Sequence, residues 1–304
     1  MKKIILVLAI IVSAAFQLVA SENDSINVNQ QDTIKHWKFG GIGSFNFSQG
    51  YQKDWAAGGE NSVSTLTIFS LFANFTNDKM KWENTIDAKY GLLKSGEEND
   101  FRKNEDVIEI NSKYGYSAAK NWYYSALFNL KTQAVKGYEY PNDSVAVSDF
   151  FAPANIVLAL GMDFKPNENL SILFSPLTSK TIYVRDTVVV DPTKYGIDDG
   201  KNRKDEMGAY IKSHFKFDLT KDILVENKLD FFSNFLESPQ NIDVNWELNI
   251  GLKINSHMNT TISTHLIYDD DIEVPVYDTD GVKISTTKSI QFKEVLSIGF
   301  SYKF

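Results

Sequence analysis

From His36 to the last residue the chain alternates apolar and polar side chains with a period of two, in stretches of ten or more residues separated by turn-forming clusters. In the clearest stretch, Ile242, Val244, Trp246, Leu248, Ile250, Leu252 and Ile254 share one parity, while Asp243, Asn245, Glu247, Asn249, Gly251 and Lys253 share the other. Successive strand side chains point to opposite faces, so this stretch has one apolar and one hydrophilic face. The same split sets Trp82, Ile86 and Tyr90 against Glu83, Asp87 and Lys89, and Ile211, Phe215 and Phe217 against Lys212, His214 and Lys216. Twelve stretches follow one another, beginning near His36, Ser62, Met80, Asn104, Asn121, Pro153, Glu168, Met207, Lys221, Gln240, Met258 and Thr287. Two are less regular: 62–77 is apolar on both parities, and 168–186 is interrupted by Pro176.

Such stretches are long enough to cross a tilted apolar layer, and their connections alternate in length. Short turns are expected at 77–79, 119–121, 166–169, 220–222 and 256–259, and long links at 49–61, 93–103, 137–152, 186–206 and 269–286. Residues 237–240 are short where a long link is due. The pattern predicts an all-β fold: a transmembrane, antiparallel, up-and-down β-barrel of about twelve strands in an outer membrane, with both termini on the periplasmic, short-turn side. Trp37, Trp82, Trp122, Phe164 and Phe217 then fall at one height beside the short turns, as an interfacial girdle would. The final strand presents Leu296, Ile298, Phe300, Tyr302 and Phe304 on one face and ends on phenylalanine. This resembles the assembly signal that the barrel-assembly machinery reads. Glu294 shares that outward parity and is expected near the outer interface or at a bulge.

The first residues have a different character. Lys2, Lys3, an uncharged run from Ile4 to Phe16 and a small residue at Ala20 read as a signal peptide over 1–20, although Leu18 stands where a second small residue is usual. Residues 21–35 are polar and aperiodic, a periplasmic N-terminal segment ahead of the barrel at 36–304. With no cysteine, the chain has no disulfide framework, thiolate site or cysteine-linked lipid. The formal charge of −8, two units lower without Lys2 and Lys3, argues against a nucleic-acid partner.

The search for chemistry yields little. There is no nucleophile elbow, Walker loop, zincin helix or dinucleotide fingerprint, so no catalytic residue, cofactor or metal ligand is assigned. His214 and His265 lie on the inward parity as candidates for a proton-transfer pair, but no serine is marked out beside them and a polar lumen explains them equally well. Asp269, Asp271, Asp278 and Asp280 form a weak calcium candidate whose spacing is not that of an EF-hand, and a solvated acidic loop is the simpler account. Trp55, near Gly58 and Gly59, is a candidate ligand contact in the first long loop, or an inward-folding lid. The inward parity further supplies Asp87, Lys89, Glu109, Lys113, Lys131, Lys212, Lys216, Glu226, Lys228, Asp230, Asp243, Glu247 and Lys253. These can pair across a narrow interior or line a water path.

Several blocks resemble the uncharacterised outer-membrane barrel family labelled domain of unknown function 3078, found in Gram-negative bacteria. They are residues 54–62 (DWAAGGENS), Lys131-Thr132-Gln133, Phe151-Ala152-Pro153, residues 175–180 (SPLTSK), residues 268–271 (YDDD) and the ending from Lys293 to Phe304. The likeness extends over nearly all of 36–304. It implies a membrane barrel and brings no activity or functional residues. The leading expectation is a small channel for small polar solutes, with outer-membrane lipids and the assembly machinery as its partners. A non-conducting scaffold barrel and an outer-membrane hydrolase are the alternatives.

Overall fold

The computed structural model describes residues 36–52, 60–96, 100–140, 144–277 and 283–304. The expected signal peptide at 1–20 and the segment 21–35 lie outside these residues. Sixteen strands form: β1 (Trp37–Gly50), β2 (Ser62–Thr76), β3 (Met80–Ser95), β4 (Arg102–Ala119), β5 (Trp122–Thr132), β6 (Gly137–Tyr138), β7 (Ala146–Ser148), β8 (Ala154–Asn167), β9 (Leu170–Tyr183), β10 (Arg203–Thr220), β11 (Ile223–Asn234), β12 (Ile242–Lys253), β13 (Met258–Tyr268), β14 (Glu273–Tyr277), β15 (Lys283–Lys288) and β16 (Gln291–Lys303). Twelve of them close into one antiparallel barrel, each beside its neighbour in sequence order, with β16 meeting β1. The remaining four make two small hairpins, β6–β7 and β14–β15, inside two of the long links.

The short turns are built by asparagine. Asn77 Oδ1 accepts from the amides of Lys79 and Met80, Asn167 Oδ1 from Asn169 and Leu170, and Asn255 Oδ1 from His257 and Met258. A side-chain oxygen bonding the backbone two and three residues on is the geometry that makes asparagine a turn former. His36, the first described residue, and Phe304 both lie at this short-turn end: Gly41 and Phe304 exchange backbone bonds of 3.0 and 3.1 Å, and Thr76 N–H donates to His36 C=O at 2.9 Å.

The register leaves one parity of every barrel strand outside. Phe39 is 70% exposed, Leu296 65% and Phe300 62%, and Phe45, Ile86, Tyr124, Leu158, Leu177 and Ile298 are exposed with them. A continuous apolar belt of this extent cannot face water without a cost and is satisfied by lipid. At its lower edge Trp37 packs on Phe75 and Trp82, Trp122 on Phe164, and Phe215 on Phe217, a girdle beside the short turns. The polar groups in this girdle are satisfied locally: Trp82 Nε1–H donates to Ser112 Oγ, Ser112 Oγ–H to Asn84 Oδ1, and Asn84 Nδ2–H to Ala73 C=O. Glu294 is paired without a bulge opposite Thr264, close to the loop end of β16.

Pro176 does not end β9. It sits in a bulge where β9 shifts register against both β8 and β10, and Ser175 Oγ–H reaches Leu160 C=O at 2.8 Å. Proline lacks the N–H a ladder needs, and a bulge removes that demand. Gly161 faces the bulge so closely that a Cβ would stand 2.0 Å from the Phe174 carbonyl oxygen.

Two long links, 133–153 and 184–202, pack on each other through Ala146, Ala152, Ile182, Val184, Val190 and Ile197, a small apolar core at the loop end. Tyr195, in the 3₁₀ turn Pro192–Tyr195, donates its hydroxyl to Val147 C=O and joins the two, and burial pushes its phenol up to about 12.

Candidate functional site

The inner face carries charged side chains in three tiers, beside an apolar cluster of the inward residues Leu127, Ala159, Leu173, Tyr210 and Phe232. Nearest the short turns, Glu83 of β3 pairs with Lys165 of β8 and, at 3.4 Å, with Lys113 of β4. Lys113 Nζ also lies 2.7 Å from Asp163 and donates to Ser171 Oγ, which in turn donates to Asp163. Every charge in this tier has an opposite charge beside it, the condition under which buried ions are tolerated.

At mid-height, Lys131 Nζ of β5 stands 3.3 Å from Glu247 of β12. These strands are five steps apart around a ring of twelve, so the pair reaches almost across the diameter. Lys212 pairs with Asp230 at 3.1 Å, and Asn129 Nδ2–H binds Glu109 at 2.7 Å. His214, Lys228, Glu247 and His265 follow one another directly across β10, β11, β12 and β13. The two histidines are thus three strands apart, roughly 14 Å at the usual strand spacing. His214 bonds Glu226 at 2.8 Å and His265 bonds Asn245 at 2.6 Å, so each has its own partner and the structure does not bring them together. Asp87, Lys89, Lys216 and Lys253 take inward positions in the same register.

Near the loops, Lys180 of β9 meets three carboxylates: Asp243 at 2.7 Å, Glu206 at 3.1 Å and Asp269 at 3.3 Å. Lys204 continues the chain, 3.2 Å from Glu206 and 2.6 Å from Asp271. Lys204 also lines a polar cavity of about 970 Å³ at the loop end, with Lys201, Arg203, Asp205, Glu237 and Asp271. Asp269 and Asp271, half of the weak calcium candidate, are engaged by lysines, while Asp278, Asp280 and Trp55 lie outside the described residues. Among the described residues no group of three or more acidic or histidine side chains is placed to hold a metal ion.

Sequence reading misses Lys180 and Glu206, whereas Asp163 and Lys165, on either side of the outward Phe164, stand on the inward parity without having been singled out. The Ser175–Leu177 bulge exchanges the faces of β9, so Lys180 turns inward where strict alternation points it out. Glu206 lies in what reads as a long link, because β10 begins four residues before the expected start near Met207.

Residues 47–138 match the family model described as Protein of unknown function (DUF3078). The match runs from the loop end of β1 through β5 to β6 and includes two of the blocks that carry the resemblance, residues 54–62 and Lys131-Thr132-Gln133. The later blocks fall outside it, so the match is shorter than the 36–304 expected. No curated protein matches the chain. Among solved structures, an outer membrane channel from Pseudomonas putida F1 is similar at 10% identity and a TM-score of 0.41, over 92% of this chain and 100% of that one. The translocator domain of the autotransporter NalP from Neisseria meningitidis is similar at 8% identity and a TM-score of 0.36, over 97% and 96%. OmpT, an outer membrane protein of Vibrio cholerae, is similar at 8% identity and a TM-score of 0.30, over 88% and 97%.

Proposed function

We propose that this DUF3078 barrel is a narrow outer-membrane channel for small polar solutes, exported by residues 1–20 and set with its termini in the periplasm. The observation that carries the reading is the presence of paired inward charges at three heights: Lys204 lines the loop-end cavity and is linked through Glu206 to Lys180, Lys212 pairs with Asp230 at mid-height, and Lys113 pairs with Glu83 nearest the short turns, all beside an apolar cluster of Leu127, Ala159, Leu173, Tyr210 and Phe232 on one side of the bore. A barrel serving only as a scaffold has no need to carry buried charge from end to end, because an apolar filling is at least as stable. Each tier sets cations beside anions, so a solute bearing both charges can exchange partners stepwise, whereas a simple ion meets its own sign at each tier. Lys131 retains 28% side-chain exposure and Glu247 15%, so the pair that narrows the bore is not close-packed on all sides.

The same pair supports one competing reading, a closed barrel that serves as a scaffold. Planar-bilayer recording separates the two. The wild type is expected to give small conductance steps, and Lys131→Ala combined with Glu247→Ala is expected to enlarge them severalfold by removing the cross-bore pair. Silence from both proteins, or steps that the double substitution leaves unchanged, would overturn the channel reading.

A further inference from the structure

The barrel is closed unevenly. Ladder pairing between neighbouring strands covers ten or more residue pairs at every seam except one. Between β1 and β16 it covers five, Ile42 to Asn46 against Lys303 to Gly299. β1 continues to Gly50, paired with β2 throughout, and β16 reaches back to Gln291, paired with β13. The loop-side half of the wall therefore has two strands side by side with no ladder between them: Phe47–Gly50 on one edge and Gln291–Ile298 on the other.

A cleft occupies this place, and residues of both faces line it. Phe47 and Leu296 belong to the lipid-facing parity and are exposed, whereas Asn46, Glu105 and Lys293 belong to the lumen. The cleft thus lies in the wall itself, at the gap in the ladder, with residues of both parities around it. Lys293 reaches behind it to β4, donating to Asn104 C=O at 2.9 Å and pairing with Glu105, so an ion pair bars the inner mouth.

We propose that this seam is a lateral binding site for a single-chain amphiphile drawn from the surrounding leaflet, with its alkyl chain between Phe47 and Leu296 and its polar head at Lys293 and the unladdered backbone edges. Three features select that occupant. Backbone N–H and C=O groups facing lipid demand polar partners, which a head group supplies and an alkane does not. The outer mouth opens in the apolar belt, where acyl chains are the surrounding medium. The cleft holds about 60 Å³. On the scale where one water needs about 10–15 Å³, that is room for a few methylene groups at the wall and far too small for an added β-strand.

The absence of native cysteine makes the test direct. Continuing the register pairs Ser48 with Ser297, so Ser48→Cys with Ser297→Cys gives one disulfide that locks the seam. The full-length protein, reconstituted in phosphatidylcholine vesicles, is labelled with a diazirine-bearing palmitate and mapped by peptide mass spectrometry. Reduced protein is expected to label at 47–50 and 295–298 well above the β5–β8 seam, and oxidation is expected to lower that excess about tenfold. Leu296→Trp, which fills the mouth without a crosslink, is expected to lower it similarly and serves if the cysteine pair assembles poorly. Labelling no greater than at β5–β8, or unaltered by both lock and tryptophan, would overturn the proposal. Recovery of the seam in contact with a second polypeptide would do so as well.

Discussion

Replacing Leu248 by arginine is expected to destabilise the barrel by about 2–4 kcal/mol in a bilayer, while replacing its neighbour Asn249 by arginine is expected to cost about 1 kcal/mol or less. Leu248 lies near the middle of β12 on the parity shared with Trp246 and Ile250, opposite Asn227 and Thr264 on the outer face. A guanidinium there must be carried into hydrocarbon or dragged to an interface, and neither is cheap. Asn249 faces the lumen, where it accepts a 2.7 Å bond from Ser263, and a cation at that position enters a hydrated interior already lined with charge. Urea unfolding of both variants in lipid vesicles measures the difference. Equal losses would mean that β12 does not separate lipid from lumen.

Lys180→Met is expected to have the larger effect of the two, about 3–5 kcal/mol, the range found when one partner of a buried ion cluster is removed and the other is left. The lysine is 16% exposed and holds Glu206, Asp243 and Asp269 together, and Glu206 is fully buried. Without it three carboxylates share one pocket with only Lys204 near enough to compensate. Adding Asp243→Asn to Lys180→Met is expected to restore part of the loss, because one of the opposed charges is gone. Unfolding midpoints for the wild type, both singles and the double form a cycle in which residues in one network show a clear coupling energy. A loss below about 1 kcal/mol for Lys180→Met would show that the carboxylates do not depend on it.

Most of the barrel could be read from the sequence because a strand with lipid on one side and water on the other has no freedom in its pattern. Ile242 to Lys253 could adopt one register only, since a slip of one residue would put Asp243, Glu247 and Lys253 into lipid. The turns were legible for a related reason: Asn77, Asn167 and Asn255 each satisfy turn amides with their own side chains. Alternation fails where the backbone departs from it. Pro176 marked the bulge in β9, yet a proline alone does not say whether a strand ends, bends or exchanges faces, and Lys180 was lost with it. Which residues meet across the lumen was not legible either. Lys131 and Glu247 are 116 positions apart in sequence, and their contact depends on how twelve strands close. The long links hid the two small hairpins and the apolar core around Val184 and Ile197, because loop packing leaves no period to read.

Everything functional proposed for this chain presumes that its strands present lipid and water to alternate residues. The direct measurement is a scan of single spin labels at each position from Asp243 to Leu252, in a protein that has no native cysteine to confuse the attachment. In vesicles, collision with dissolved oxygen should be high and collision with a water-soluble nickel chelate low at 244, 246, 248, 250 and 252, with the order reversed at the odd positions between them. A profile without that two-residue alternation, or one with a helical period, would contradict the barrel itself.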